Sequence, residues 1–403
     1  MEVEAFYDRY PYPPPIEDLA AYRQRWQDPQ RCRADFHLFW PTRRYRKDHS
    51  ILVAGCGTSQ GARYAVRWPA AQITGIDISA TSVQYTEELK RRHQLDNLEV
   101  RRLPLERAAD LGKRFDQVVC TGVLHHLSDP DAGLRALREV LKPHGAIHLM
   151  VYAPYGRSGI YMLQEFCRRV GFRAPDADYG DLLLALKALP TGHPLLNLLH
   201  ETPDFQTEAA LADALLHPQD QAYSVPQLLA LIKRNGLTFG RWLRQAPYSL
   251  RPGLMSRIPL TMRSPEIPAE DQAAAAEVFR GTMTRHSAVA YRDDRPDIPR
   301  IDFTTNEWLD YVPIRMPDTL TLREQLPAEI AAILVNRAHT QRDICLPVRP
   351  NELPLLEAID GYRTIREMLG TASRDAARSL FERLWLHDQV VFDATRSESM
   401  GTL

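Results

Sequence analysis

A chain of 403 residues, 44% hydrophobic and 25% charged, is long enough for two domains and has the composition of a globular protein with a real core. Its formal net charge of −1 argues against a protein whose main work is coating nucleic acid, which leans on a basic excess. Five cysteines, with no C-x-x-C spacing, indicate neither a disulfide framework nor a zinc site and fit a reducing compartment.

The first 48 residues are aromatic, proline-rich and basic, and are expected to form an arm or lid. Tyr10-Pro11-Tyr12-Pro13-Pro14-Pro15 has to be extended, because proline removes the amide donor and restrains its neighbour. Helical patterning follows at Leu19–Trp26 and Phe36–Trp40. Arg23, Arg25, Arg31, Arg33, Arg43, Arg44, Arg46 and Lys47 read first as a solvated face, with an anion-binding patch as the alternative. The acidic start lacks the apolar run of a signal peptide, and no stretch approaches the roughly 20 apolar residues of a membrane span. A cytoplasmic protein is expected.

From Ser50 onward strand and helix alternate. Ile51–Ala54 and Ile73–Asp77 are short apolar runs of the kind that form buried parallel strands, and Leu98–Arg102, Phe115–Cys120 and Ala146–Tyr152 read as three further strands. Helices are expected at Gly61–Trp68, from a Ser79 cap to about His93, and at Asp131–Leu141, the last stopped by Pro143 and Gly145. This rhythm predicts an α/β core over 49–293, a mostly parallel sheet with helices on both faces. Three helical stretches without strands, at 157–222, read as an insertion. Ser224, Pro226 and Gly236 then punctuate a helix, and strands follow at Leu237–Leu243 and His286–Tyr291. Arg292–Arg300 reads as a linker. The remainder, 294–403, is expected to be a small winged-helix-like module: helices at Thr321–His339, Glu352–Ile359, Thr364–Leu369 and Ala372–Leu386, then a strand at Gln389–Phe392.

The segment Gly55-Cys56-Gly57-Thr58-Ser59-Gln60-Gly61 follows the first strand. Glycines there let the backbone approach a ligand, and the next helix presents free N–H groups. Asp77 ends the second strand, where a carboxylate can accept from both ribose hydroxyls of a nucleoside. A dinucleotide fingerprint wants glycine where Gln60 stands, which disfavours a nicotinamide oxidoreductase.

Here the chain resembles the class I, Rossmann-like S-adenosylmethionine-dependent methyltransferases. Their G-x-G-x-[ST] motif is similar to Gly55–Ser59, and their acidic residue maps to Asp77, with Ile78 beside it. The turn Thr121-Gly122-Val123-Leu124-His125-His126-Leu127 and the stretch Leu141-Lys142-Pro143-His144-Gly145 resemble further family motifs. His144 departs from a family glycine. Leu103-Pro104-Leu105 stands where the family often has an acidic residue, so backbone atoms there, with Glu106 nearby, are expected to hold the adenine. The resemblance covers residues 50–155 well and 220–292 loosely. It implies S-adenosylmethionine as cofactor, S-adenosylhomocysteine as product and no metal, with Thr121–Val123 at the methyl end. It also implies that Tyr7, Tyr10 and Tyr12 fold over the cofactor, the alternative being an arm packed on the core.

Methyl transfer needs alignment, with a base only if the acceptor loses a proton. His125 and His126 are candidate bases, or else bind backbone. Tyr155 and Arg157 follow the fifth strand and can orient an acceptor, Arg157 by pairing with a carboxylate; Tyr161 is a weaker candidate. Trp242, Tyr248 and His286 read as structural. The turn Ile359-Asp360-Gly361 resembles parts of peptide-binding modules on modification enzymes, which favours a peptide or protein acceptor. A small phenol or carboxylic acid, and a non-catalytic sensor or scaffold, are the other readings.

Overall fold

The computed structural model describes residues 3–395 apart from 17, 173–174, 202–204, 206, 260–265 and 296–297. Three short helices open the chain: α1 (Val3–Arg9), α2 (Ala20–Arg25) and α3 (Pro29–Phe39). The Asp28 carboxylate accepts from the Gln30 amide and Pro29 sits in the first turn, so α3 begins where capping chemistry dictates. Alternation follows with β1 (Ser50–Ala54), α4 (Gln60–Arg67), β2 (Gln72–Asp77), α5 (Ala80–His93), β3 (Leu98–Arg102), β4 (Phe115–Thr121), α6 (Pro130–Glu139) and β5 (Leu141–Tyr152). The insertion comprises α7 (Ser158–Val170), α8 (Pro175–Lys187), α9 (Leu195–Glu201) and α10 (Glu208–Leu211), which runs into a π-helical turn, Ala212–Leu216. Then come α11 (Val225–Arg234), β6 (Leu237–Trp242), α12 (Ala269–Arg280) and β7 (Arg285–Arg292).

The strands form one seven-stranded sheet in the order β3-β2-β1-β4-β5-β7-β6. β3, β2, β1, β4 and β5 are parallel, and β7 runs antiparallel to β5. The chain winds outward from β1 through β2 to β3, then returns to β1's other side for β4. That reversal opens a crevice beyond the carboxyl ends of β1 and β4. Ala54 pairs with Ile76 on one side and Cys120 on the other. Gly55, Asp77 and Thr121 therefore emerge abreast at that edge.

Two local expectations are corrected. The helix expected to reach Leu141 ends at Glu139, and Leu141–Tyr152 is one strand. Lys142–Gly145 is thus no separate turn. Phe115 pairs with Leu141 and Gln117 with Ala146, so the extra residues are taken up as an irregularity within β5. The helix expected at Thr321–His339 is two strands, described below.

The chain divides into two compact units. The first is residues 1–23, 47–239 and 280–294; the second is 24–46, 240–279 and 295–403. The sequence reading placed the boundary near 293, and the second unit also draws in 24–46 and 240–279. Within the first unit the insertion has its own apolar cluster, including Ile160, Leu163, Leu182, Leu195 and Leu215.

The second unit continues with β8 (Val312–Arg315), β9 (Thr319–Leu322), β10 (Ala332–Asn336), β11 (Leu346–Val348), α13 (Leu353–Glu357), α14 (Ile365–Met368), α15 (Arg374–Leu386) and β12 (Val390–Asp393). β9, β10 and β11 form an antiparallel sheet with β10 central, and β12 pairs antiparallel with β8. The helix reading failed because Ala332, Leu334 and Asn336 are buried while Ile333 and Val335 are not: the period is two. Trp308, Leu334, Phe381 and Phe392 pack one core. His37 of α3 lies 3.3 Å from Asp393 of β12, and burial is outweighed there by His37, which holds the Asp393 carboxyl down at about 2. Among the described residues no helix is long and apolar enough to cross a membrane.

Candidate active site

The loop after β1 is built from backbone. The amides of Gly55 and Cys56 donate to the Ile76 carbonyl at 2.8 and 2.9 Å. Gly57 N–H donates to Asp77 Oδ2 at 2.8 Å, and Ser79 N–H to Asp77 Oδ1 at 3.0 Å. Gly55 has φ +73°, and a Cβ there would come within 2.2 Å of Val123 Cγ2, so the position admits only glycine. Burial pushes the Asp77 carboxyl up, against the pull of these N–H donors. Gln60 Nε2 donates to Thr121 Oγ1 at 2.7 Å, tying the start of α4 to the end of β4.

These residues floor a cleft of about 350 Å³. Leu103, Leu105 and Glu106 line it beyond β3, and Thr121, Gly122, Val123, His126 and Leu127 beyond β4. The N-terminal segment forms the roof through Val3, Tyr7, Tyr12 and Pro13. It is fastened from both sides. Asp8 Oδ1 accepts from Ser79 Oγ at 2.7 Å and from Thr81 N at 3.2 Å. Thr58 Oγ1 donates to the Pro13 carbonyl at 2.8 Å. Glu4 pairs with Arg102.

The far end of the cleft is a cluster of titratable groups from four elements. Tyr7 of α1 and Tyr152 of β5 donate to the two oxygens of Asp213, at 3.0 and 3.2 Å. Asp213 sits in the π-helical turn, a feature frequent at functional sites. Burial pushes its carboxyl up, and burial also raises both phenols well above their usual range, so both stay protonated donors. His126 Nδ1 lies 2.7 Å from the Gln219 carbonyl, which places the proton on Nδ1. Burial lowers His126 to about 4, so it is neutral at pH 7. The His217 ring lies 3.9 Å from it, tilted by 34°, and His217 is lowered to about 4 for the same reason. His125 is enclosed at 0% exposure, 4.0 Å from the Tyr152 ring.

His125, His126 and Asp220 bring ligand atoms within 4.8 Å of one another. A divalent ion there would face Arg157, whose Nη2 is 3.8 Å from Asp220 Oδ2. That cation already occupies the position of a counter-charge, so the cluster suits a metal poorly.

Of the residues expected at a cofactor, Gly55, Cys56, Gly57, Ser59, Asp77, Ile78, Leu103, Leu105, Thr121, Gly122 and Val123 line the cleft. Thr58 and Pro104 do not; Thr58 holds the N-terminal segment instead. Tyr7 and Tyr12 line it, whereas Tyr10 is buried against Phe6 in a separate small cluster. Of the expected acceptor-side residues, His126 and Arg157 line the cleft. His125 stands behind His126, shut off from the cavity. Tyr155 is 44% exposed and lies outside it. Gly156 separates the two outcomes: a Cβ there would come within 2.3 Å of the Met283 carbonyl, and this close approach turns Arg157 inward. Sequence reasoning overlooked Gln60, Met150, Tyr152, Asp213, Thr284 and Arg285 as lining residues. Tyr152 was accessible as the last residue of a central strand. Asp213 carried no signal, because only the folding of the insertion brings it to the cleft.

Residues 52–147 match the family model of the methyltransferase domain. The chain is 36% identical over 250 residues to an uncharacterised protein of Synechococcus, covering 59% of this chain and 58% of that protein. It thus spans under two thirds of that relative's length. It is 28% identical over 229 residues to a ubiquinone biosynthesis O-methyltransferase of Chelativorans, covering 51% of this chain and 81% of that one. The structure of PKMT2 from Rickettsia typhi is similar over 98% of this chain and 79% of that chain, with TM-score 0.63 and 16% identity, a likeness of fold. Over the residues that match the methyltransferase-domain model, the sheet order and glycine loop have a Rossmann-like form.

Proposed function

We propose that the chain transfers a methyl group from S-adenosylmethionine to an acceptor at the Arg157–Asp213 end of the cleft, releasing S-adenosylhomocysteine. The carrying observation is that Gly55, Asp77 and Thr121 stand abreast at the carboxyl ends of β1, β2 and β4, with Asp77 bonded to the glycine loop at Gly57. The residues fit this cofactor. The glycine loop brings Gly55 and Gly57, which carry no side chain, to the floor of the cleft. Asp77 offers carboxylate lone pairs to ribose hydroxyls, with Ile78 beside it, and Leu103, Leu105 and Glu106 flank the adenine side. Gln60 and Thr121 face the methionine side, with Gly122 and Val123 toward the methyl.

The sulfonium, when bound, supplies an already activated methyl. The protein's own part is to orient the acceptor and exclude water. Tyr7 and Tyr12 cover the cleft, and Asp213 locks Tyr7 and Tyr152 in place. His126 keeps its proton on Nδ1 and leaves the Nε2 lone pair to take a proton, should the acceptor lose one.

A peptide or protein side chain is the favoured acceptor. Support comes from the second unit, where β9 is an edge strand with Leu320 40% and Leu322 50% exposed, a surface an extended chain can pair with. A small-molecule O- or N-methyltransferase is the second reading, favoured by the limited cleft volume of about 350 Å³. The five free cysteines agree with work in the cytoplasm.

Calorimetric titration with S-adenosylmethionine and S-adenosylhomocysteine, with NADH as control, tests the reading. Micromolar binding of the first two, lost in Asp77→Ala, supports it and opens an acceptor screen beginning with peptides. No binding would move a scaffold role to the front. Binding without turnover of any acceptor would point to a sensor.

A further inference from the structure

Arg157 is the buried cation that the cofactor roles above leave without work. It is 8% exposed and lines both the cleft and a side channel that opens from it. Its guanidinium carbon stacks 3.5 Å from the centre of the Tyr152 ring, which fixes the plane of the group. Its Nε and Nη2, the edge that matches a carboxylate with two parallel bonds, make no hydrogen bond. A buried donor pair of this kind is rarely left unmet without a role.

The neighbouring carboxyls do not consume that edge. Asp213 is engaged by Tyr7 and Tyr152. Asp220 lies 3.8 Å from Nη2, beyond hydrogen-bond range, and its Oδ2 accepts from Gln164 at 3.0 Å. Burial pushes both carboxyls up, against the pull of Arg157. The three histidines nearest are held neutral by burial. The cavity end thus presents a buried guanidinium, paired in charge with Asp220, whose Nε–Nη2 edge is open to a hydrogen-bond acceptor. The side channel beside it, of about 50 Å³, is lined by Ile160, Leu198 and Phe205 together with the polar Tyr12, Asp213 and Thr284.

We propose that the methyl acceptor carries a carboxylate that seats on the Nε–Nη2 edge of Arg157, with its apolar body in the side channel. This rests on the methyltransferase reading and names the substrate class. The carboxylate is a recognition group; Arg157 positions the acceptor. The same chemistry has a second source, the cofactor's own methionine carboxylate, and the test separates the two.

The full chain, saturated with S-adenosylhomocysteine, is titrated calorimetrically with hexanoate and with hexanamide, a charged and neutral pair of nearly equal shape. A second pair is N-acetyl-leucine and its amide. The expected result is that each acid binds about tenfold or more tightly than its amide. Arg157→Met abolishes the difference, Arg157→Lys keeps part of it, and both variants bind S-adenosylhomocysteine as the wild type does, which also shows that they fold. The tighter of the two acids tells a small acid from a peptide terminus. Equal binding of acid and amide overturns the proposal. So does an Arg157→Met variant that folds but loses S-adenosylhomocysteine instead, since the edge then belongs to the cofactor. Failure of the wild type to bind S-adenosylhomocysteine at all is a different result, and it removes the methyltransferase reading itself.

Discussion

The Asp77 carboxylate holds the glycine loop through Gly57, and the proposed function gives it a ribose to meet as well. Asp77→Ala is expected to weaken S-adenosylhomocysteine binding by about 2–4 kcal/mol, the value of one or two charge-assisted hydrogen bonds. Calorimetry reads this directly, and unchanged affinity would remove Asp77 from the ribose. His126 supports a prediction about pH. Its folded value of about 4 lies below the ordinary 6.5. Between those values the unfolded chain takes up a proton that the folded chain refuses, so stability falls as pH drops from about 6.5 to 4 and flattens below. His126→Gln should make that acid slope shallower, by on the order of 3 kcal/mol in all. Coincident thermal-melting profiles of the two proteins across this window would contradict a neutral, buried His126. At this scale Gly55, Gly57 and Asp77 were legible because backbone geometry demands those residue types at those spacings. Asp213 was not, since a lone aspartate in a helical stretch reads as solvated until tertiary packing encloses it.

Among the elements, α1 is the one whose place matters most for the cleft. It is held by polar fastenings at its end, the Asp8 bonds to Ser79 and Thr81, and by the Tyr7 bond to Asp213. Seven residues are too few for a helix to persist alone. Asp8→Ala is therefore expected to loosen the roof, raising the dissociation rate of S-adenosylhomocysteine several-fold while costing the fold only about 1–2 kcal/mol. Stopped-flow release and a thermal melt, taken together, check both halves; an unchanged release rate would mean that α1 is no lid. The first two strands of the core were readable from apolar runs ending in glycine or aspartate. β9 and β10 were misread because Glu324, Glu329, Ala331 and Ala332 mimic helix composition, whereas Pro327 and the alternating burial of β10 obey a sheet.

At the scale of the molecule, each compact unit has its own apolar core. Scanning calorimetry is expected to resolve more than one unfolding transition. Saturating S-adenosylhomocysteine should raise only the transition of the first unit, by about 2.7 kcal/mol at a hundredfold excess over its dissociation constant. Phe381→Ala, at a fully buried position of the second unit, should lower the other transition by about 3–5 kcal/mol. A single transition shifted by both changes would show that the units unfold as one.

The sequence by itself determined the alternation of strand and helix, the place of the glycine loop and the acidic end of β2. These follow from local rules: burial periodicity, capping, and the steric demands of positive φ and close approach. Only the tertiary structure decided which side chains meet. It sent Arg157 inward and Tyr155 outward across one glycine, closed His125 behind His126, and gathered Tyr7, Tyr152 and Asp213 from positions as much as 206 residues apart. Such convergence is set by the packing of whole elements, and no spacing along the chain records it.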